Sequence, residues 1–143
     1  MAVDSRVVSA TLETMRSCGQ GRRECVLYWV ARQGDSRVIW AVHPAHTASW
    51  AGYRVDGAWI NAFFIDLGGR AEHVVAQVHS HPSGWVGMSK TDDRWALLPS
   101  PGFFSIVVPD FGQTDGMVGW GIWRLTATGA WIDATEELNW SID

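Results

Sequence analysis

The sequence predicts a mixed β-sheet with helices packed against it, an α+β arrangement. Three observations lead there. Short runs rich in Val, Ile, Trp and Phe recur between turn residues. Longer stretches place their apolar residues at helical spacing instead. Helices and strands alternate with hairpins rather than as repeated strand–helix–strand crossovers, which argues against a purely parallel, doubly wound sheet. The 143 residues match the length of one domain, with no repeat, linker or low-complexity tract, so a single domain over 1–143 is expected.

In chain order, DSRVVSATLETMRS carries Val7, Val8, Leu12 and Met15 on one helical face. Asp4 or Ser5 is placed to cap it, and Gly19-Gln20-Gly21 breaks it. ECVLYWVAR and SRVIWAVHP read as two strands joined by a hairpin turn at ARQGDS. VDGAWINAFFIDLGG follows a helical stripe through Trp59, Phe63 and Leu67, capped by Asp56 and stopped by Gly68-Gly69. HVVAQVHSH reads as a strand ending near His79 to His81. Ser89 opens a helical segment containing Trp95, Leu97 and Leu98, which Pro99 and Pro101 end. FFSIVVP is a further strand, and GWGIWRLTATGAWIDAT a hairpin turning near Thr128-Gly129. The tail EELNWSID is compatible with a short helix or a frayed end.

Composition narrows the function. Hydrophobic residues make up 47% and charged residues 18%, which excludes a disordered chain. Lys and Arg total 11 against 15 Asp and Glu, a net charge of -4 that does not favour a phosphate backbone as partner. No apolar run reaches membrane-spanning length, since Asn61 and Asp66 interrupt WINAFFIDLG. Cys18 and Cys25 are too few for a disulfide framework and lack CxxC spacing. With no apolar signal segment before them, a reducing cytoplasm is expected. Ten tryptophans are many for this length and point to core packing or to a partly exposed binding surface.

The chemistry concentrates in HSHPSGWVGMSKTDD, residues 79–93. Side chains at i and i+2 on a strand face the same way, so His79 and His81 converge on one point. Imidazoles are good zinc ligands, and a carboxylate commonly completes such a set. Ser89 and Asp92 have N-cap and N3 spacing; the first turn of their helix can return Asp92 to the strand end and leave a fourth metal position open. Either half alone has an ordinary explanation: a polar strand edge, or a helix cap. Joined by the turn at Pro82-Ser83-Gly84, they specify a metal site. Other candidates fare worse. Glu13 belongs to a solvated helix face, and Glu72 lies seven residues before His79, more than about 20 Å along an extended strand. Asp93 lacks the spacing, and His43 and His46 in HPAHT read as loop residues without a nearby carboxylate. His73 lies several residues from the site and is assigned no role. Cys25, facing away from Glu24, reads as a buried, inert thiol rather than a nucleophile.

The stretch fits H-x-H-P-x(6)-S-x(2)-D at every named position and so resembles the signature of the JAMM (MPN+/JAB) metallopeptidases. The resemblance spans roughly residues 5 to 125. It implies a curved, mostly antiparallel sheet of the cytidine-deaminase-like JAB/MPN architecture and one zinc ion. It further implies His79, His81 and Asp92 as the zinc ligands and Ser89 as the residue that stabilises the oxyanion. The family's upstream glutamate corresponds by order and context to Glu24 in GRRECVLYWVAR, which would be the general base.

The resemblance also implies a substrate: the peptide or isopeptide bond after the C-terminal glycine of a ubiquitin-like protein. Compact bacterial relatives occur beside such proteins and their activating or conjugating enzymes, some in antiphage defence, while others process sulfur-carrier proteins. Trp85 and Met88, in the loop nearest the motif, are the expected substrate-facing residues. Two further readings are a RadC-like DNA-associated domain, which HSHPSG also resembles, and a non-catalytic MPN scaffold. The acidic balance weakens the first, and the full ligand set the second.

Overall fold

The computed structural model describes residues 1–141. Its centre is a six-stranded sheet in the order β3-β2-β6-β7-β8-β9. The strands are β2 (Val26–Arg32), β3 (Val38–Val42), β6 (Glu72–Ser80), β7 (Phe104–Val108), β8 (Gly121–Leu125) and β9 (Trp131–Asp133). Every neighbouring pair in it is antiparallel except β6–β7. The α+β expectation therefore holds, with a mixed and mostly antiparallel sheet.

Helix α1 (Ser5–Gly19) covers one face and α2 (Gly57–Gly69) the other. Asp4 caps α1 by accepting from the amides of Arg6 and Val7, and Gln20 ends it in the left-handed region at φ 52°. The predicted stripe Val7, Val8, Leu12 and Met15 is buried against Leu27, Trp29, Val78 and Ile106 of the sheet. On α2, capped by Asp56, Phe63 and Leu67 bury against Val26, Tyr28, Val30 and Val74. Strand β2 thus alternates cleanly, Leu27 and Trp29 toward α1 and Val26, Tyr28 and Val30 toward α2, as a strand covered on both faces must. In β6 the alternation shifts at one place. Trp29 pairs with Ala76 and Val30 with Val74, so Val75 is bulged out of register.

Several features depart from the sequence reading. A strand, β1 (Ala2–Asp4), precedes α1 and pairs in parallel with β10 (Asn139–Ser141), so the tail combines a short helical turn over Thr135–Glu137 with a strand that the sequence did not predict. Trp140 and Ser141 are described here by backbone alone, and residues 142–143 of that reading lie outside the described residues. The unassigned segment after His43 forms a separate antiparallel hairpin, β4 (His46–Ser49) and β5 (Gly52–Val55), so His46 opens a strand rather than sitting in a loop. The helix after Ser89, α3 (Lys90–Arg94), is only five residues long. It stops before Leu97 because the Leu97 amide donates to the Gln77 side chain at 2.9 Å instead of to a helical carbonyl.

One buried polar link joins α1 to the sheet: Trp29 Nε1 donates to Thr11 Oγ1 at 2.9 Å, with both residues fully buried. Thr11→Val keeps the shape and leaves the indole N–H unpaired, which costs roughly 1–3 kcal/mol. Urea denaturation should show that loss, and unchanged stability would refute the link's importance.

Candidate metal centre and catalytic cavity

The β6 strand ends where the chemistry begins. Gln77, His79 and His81 follow one another at alternate positions and all are buried. The backbone of His81 is fixed from two directions: its amide donates to the Val108 carbonyl at 2.9 Å, and its carbonyl accepts from the Phe111 amide at 2.9 Å. The second bond requires a tight turn in which Asp110 and Phe111 both adopt positive φ, 52° and 54°. Non-glycine residues rarely do so, and such strain tends to collect at functional sites.

Asp92 arrives from α3 through a capping box. Its amide donates to Ser89 Oγ at 3.0 Å, and the Ser89 amide donates back to Asp92 Oδ2 at 2.8 Å. The same carboxylate meets both imidazoles: His79 Nε2 lies 3.2 Å from Oδ1 and His81 Nε2 3.2 Å from Oδ2, while the two Nε2 atoms are 3.2 Å apart. Burial opposes ionisation of Asp92, but the His79 and His81 contacts outweigh it and hold the carboxyl well below its ordinary range.

These atoms fit a zinc ion. His81 Nδ1 lies 2.9 Å from the Trp85 carbonyl, which can only accept, so Nδ1 carries the proton. In the neutral ring Nε2 is then a bare lone pair, yet it faces a carboxylate oxygen. Acceptor against acceptor is relieved either by a proton on Nε2 or by a metal cation held between them. Zinc with bonds near 2.0–2.1 Å at tetrahedral angles would space its ligand atoms about 3.3 Å apart, close to the observed separations.

Glu24 reaches the same place from the segment that leads into β2. The register Val26↔His79 continues through Cys25 and Ser80, whose backbones and side chain exchange bonds of 2.9 and 3.0 Å, and this carries Glu24 alongside His81. Its carboxyl is buried and lines one cavity with His81, Ser89, Asp92, Tyr53, Trp85 and Trp95. Burial pushes its pKa up to about 7; the nearby His81 opposes this and Asp92 adds to it.

Among the loop residues, Trp85 stacks on His81 with ring centroids 5.4 Å apart and planes 13° apart, while remaining 57% exposed at the cavity rim. Met88 is half-buried and does not line this cavity. The loop is anchored from below, since Trp123 Nε1 donates to the Val86 carbonyl at 2.8 Å. Cys25 is buried, and burial followed by the adjacent Cys18 thiol pushes its pKa far up, so it is no nucleophile. Glu13 is exposed, Asp93 accepts from Trp131 Nε1, and Glu72 pairs with Arg70, so none of the three joins the site.

Two residues escaped the sequence reading. Tyr53 packs on His79 at 5.6 Å between ring centroids, and its hydroxyl accepts from Gln77 Nε2. Gln77 meanwhile holds the chain just beyond α3 through Leu97, so one side chain ties the histidine strand to the segment carrying Asp92. The available signal was a polar residue at alternate spacing before His79 in an otherwise apolar strand. Nothing in the sequence marked Tyr53. Among the described residues two groups have ligand atoms close enough to hold a metal ion, this one and a set formed by Cys18, Cys25, His43 and His46.

Fold and site together define a zinc-metallopeptidase domain of the JAB1/MPN type. The chain belongs to the JAMM metalloprotease family: it is 32% identical over 119 residues to y4jG of Sinorhizobium fredii, a probable metalloprotease, covering 79% of this chain and 73% of that one. Solved structures share the fold at lower identity. DSY2949 from Desulfitobacterium hafniense superposes with a TM-score of 0.71 at 15% identity, covering 100% of this chain and 94% of that one. AF2198, a JAB1/MPN domain protein from Archaeoglobus fulgidus, gives 0.60 at 15% identity, with 100% of both chains covered. A structure describing JAMM as a metalloprotease-like zinc site in the proteasome and signalosome gives 0.56 at 15% identity, covering 99% and 97%. No protein-family profile matches the chain. No helix among the described residues is long and apolar enough to cross a membrane.

The Val86 loop comes so close to β8 that a Cβ on Gly121 would lie 2.4 Å from the Val86 carbonyl oxygen. Gly121→Ala must therefore displace backbone rather than a pliable side chain, at roughly 1–3 kcal/mol. Thermal unfolding should record the loss; an unchanged melting temperature would mean that the loop is not held against β8.

Proposed function

We propose that the protein hydrolyses the peptide or isopeptide bond after the C-terminal glycine of a ubiquitin-like protein, releasing it from a conjugate or a precursor. The observation that carries this reading is the cavity lined by Glu24, Ser89, His81 and Asp92, with His79 clustered against the last two. His79, His81 and Asp92 would hold the zinc ion. When bound there, zinc polarises the scissile carbonyl and makes the attacking water more acidic.

The remaining work falls to the chain's own residues. Glu24 takes a proton from the attacking water and returns it to the leaving amine, and burial of its carboxylate keeps it close to the reacting groups. Ser89 lines the cavity with its hydroxyl accepting from the Asp92 amide, which leaves the hydroxyl proton free to donate to the oxygen that gains charge.

An extended substrate tail is supported by what adjoins the cavity. A groove lined by Tyr53, Arg54, Val55, Ile60, Phe64 and Trp95 shares Tyr53 and Trp95 with the catalytic cavity. Strand β5 runs along it and, among the described residues, pairs only with β4. A tail can add to such an edge through backbone hydrogen bonds, with glycine at the cut passing between Trp85 and Tyr53.

The test uses zinc-loaded protein and a panel of ubiquitin-like proteins fused through their C-terminal glycine to a reporter, with the cut located by mass spectrometry. Cleavage immediately after the glycine is expected. Glu24→Gln should keep zinc at His79, His81 and Asp92 and lose about 100-fold or more in kcat. Cleavage elsewhere in the fusions, or full activity of Glu24→Gln, would overturn the assignment.

A further inference from the structure

Four side chains unused by the reaction meet on the α1 side of the sheet. Cys18 lies in the last turn of α1, Cys25 just before β2, His43 just after β3, and His46 opens β4. Cys18 Sγ is 3.5 Å from His46 Nε2, and Cys25 Sγ is 3.5 Å from His43 Nε2. One ligand atom from each residue lies within 4.8 Å of all the others. The two imidazole rings meet edge to face, with centroids 5.0 Å apart.

We propose that Cys18, Cys25, His43 and His46 bind a second, structural zinc ion. Two sulfurs and two imidazole nitrogens are the donor set of closed zinc sites, and four protein ligands leave no position for water or substrate. Zinc bonds of about 2.3 Å to sulfur and 2.0–2.1 Å to nitrogen at tetrahedral angles separate sulfur from nitrogen by about 3.5 Å, which matches both close pairs. The tautomer agrees as well. His46 Nδ1 lies 3.0 Å from the Pro44 carbonyl and therefore donates to it, which turns the Nε2 lone pair toward Cys18. A backbone carbonyl on the far nitrogen is the usual support of a metal-bound imidazole. Two thiolates also neutralise the charge of the ion, and coordination itself deprotonates them.

The consequence is a staple at one end of the sheet, joining α1, β2, β3 and β4. Two parts of the catalytic cavity hang from it. Glu24 is the neighbour of Cys25, and its amide donates to Ser49 of β4 at 2.8 Å. The β4–β5 hairpin then supplies Ala51, Gly52 and Tyr53 to the cavity wall. The ion thus serves as a positioning element and touches no reacting atom.

Metal content and cobalt spectroscopy of the purified full chain decide this. Two zinc ions per chain are expected; His79→Ala/His81→Ala should retain one, and Cys18→Ser/His46→Ala should lose one. Cobalt offered in place of zinc should give thiolate-to-cobalt charge-transfer absorption in the wild type. That absorption should persist in His79→Ala/His81→Ala, because the catalytic ligands contain no sulfur, and this reading does not depend on the cysteine variant folding. A single zinc that disappears entirely with His79→Ala/His81→Ala overturns the proposal. So does the absence of thiolate–cobalt absorption, or a Cys18–Cys25 disulfide in the purified protein.

Discussion

One carboxylate is shared between a helix and two histidines, and the geometry of the site depends on that sharing. Asp92 Oδ2 accepts from the Ser89 amide at 2.8 Å and also faces His81, while Oδ1 faces His79. Five residues of helix cannot hold their shape by propensity, because nucleation consumes more conformational freedom than so few hydrogen bonds restore. The capping box supplies that shape, and in doing so aims the acid at the end of β6. The histidines in return hold Asp92 ionised, the state in which it accepts from the cap amide. Local structure and the clustering of the ligand set therefore stabilise one another through the same two oxygens.

That arrangement works only if the histidines face the right side of the sheet, and the bulge at Val75 secures this. Upstream of it Val74 packs toward α2; downstream, Ala76 and Val78 pack toward α1. Gln77 and His79 consequently turn to the α2 side, where Tyr53 and the chain beyond α3 meet them. A regular strand would have left one half of β6 pointing the wrong way, since a shift of one residue exchanges the two faces. The turn at Asp110 and Phe111 completes the placement. Two positive-φ residues cost about 1–3 kcal/mol each, and they are retained beside the His81 carbonyl that their turn binds.

What could be read from the sequence follows from how local each signal is. The faces of α1 and α2, their aspartate caps and the β8–β9 turn at Gly129 all arise within a few residues of chain, and all were legible. So was the spacing of His79, His81, Ser89 and Asp92, because a strand end and a capping box are both local devices. The β4–β5 hairpin was not, since HTAS and GYRV lack a hydrophobic alternation and their strands are only half-buried. The short reach of α3 escaped because its end is set by Gln77, a partner 20 positions before Leu97. The cysteine–histidine set was missed for the same reason. Its spacing is neither CxxC nor the usual paired-histidine pattern, and four separate elements must fold before its ligands meet. The tryptophans divided between both uses: Trp29 and Trp120 are in the core, whereas Trp85 and Trp95 rim the cavity at 57% and 58% exposure.

Glu24 and Cys25 show how tightly the two ends of this logic are joined. Successive residues of an extended chain point to opposite faces, so the glutamate enters the catalytic cavity while the cysteine turns to the α1 side. The segment carrying both, which leads into β2, is fixed at that point by two bonds between Cys25 and Ser80, one position after His79. A displacement of Cys25 must therefore move Glu24 relative to the histidines, and no flexible segment lies between them to absorb it. Rigid support of the proposed base from the opposite face of the same extended segment is a physical role for Cys25 that its burial alone did not suggest. The residue that looked inert as a nucleophile is placed where its fixation determines where the Glu24 carboxylate stands.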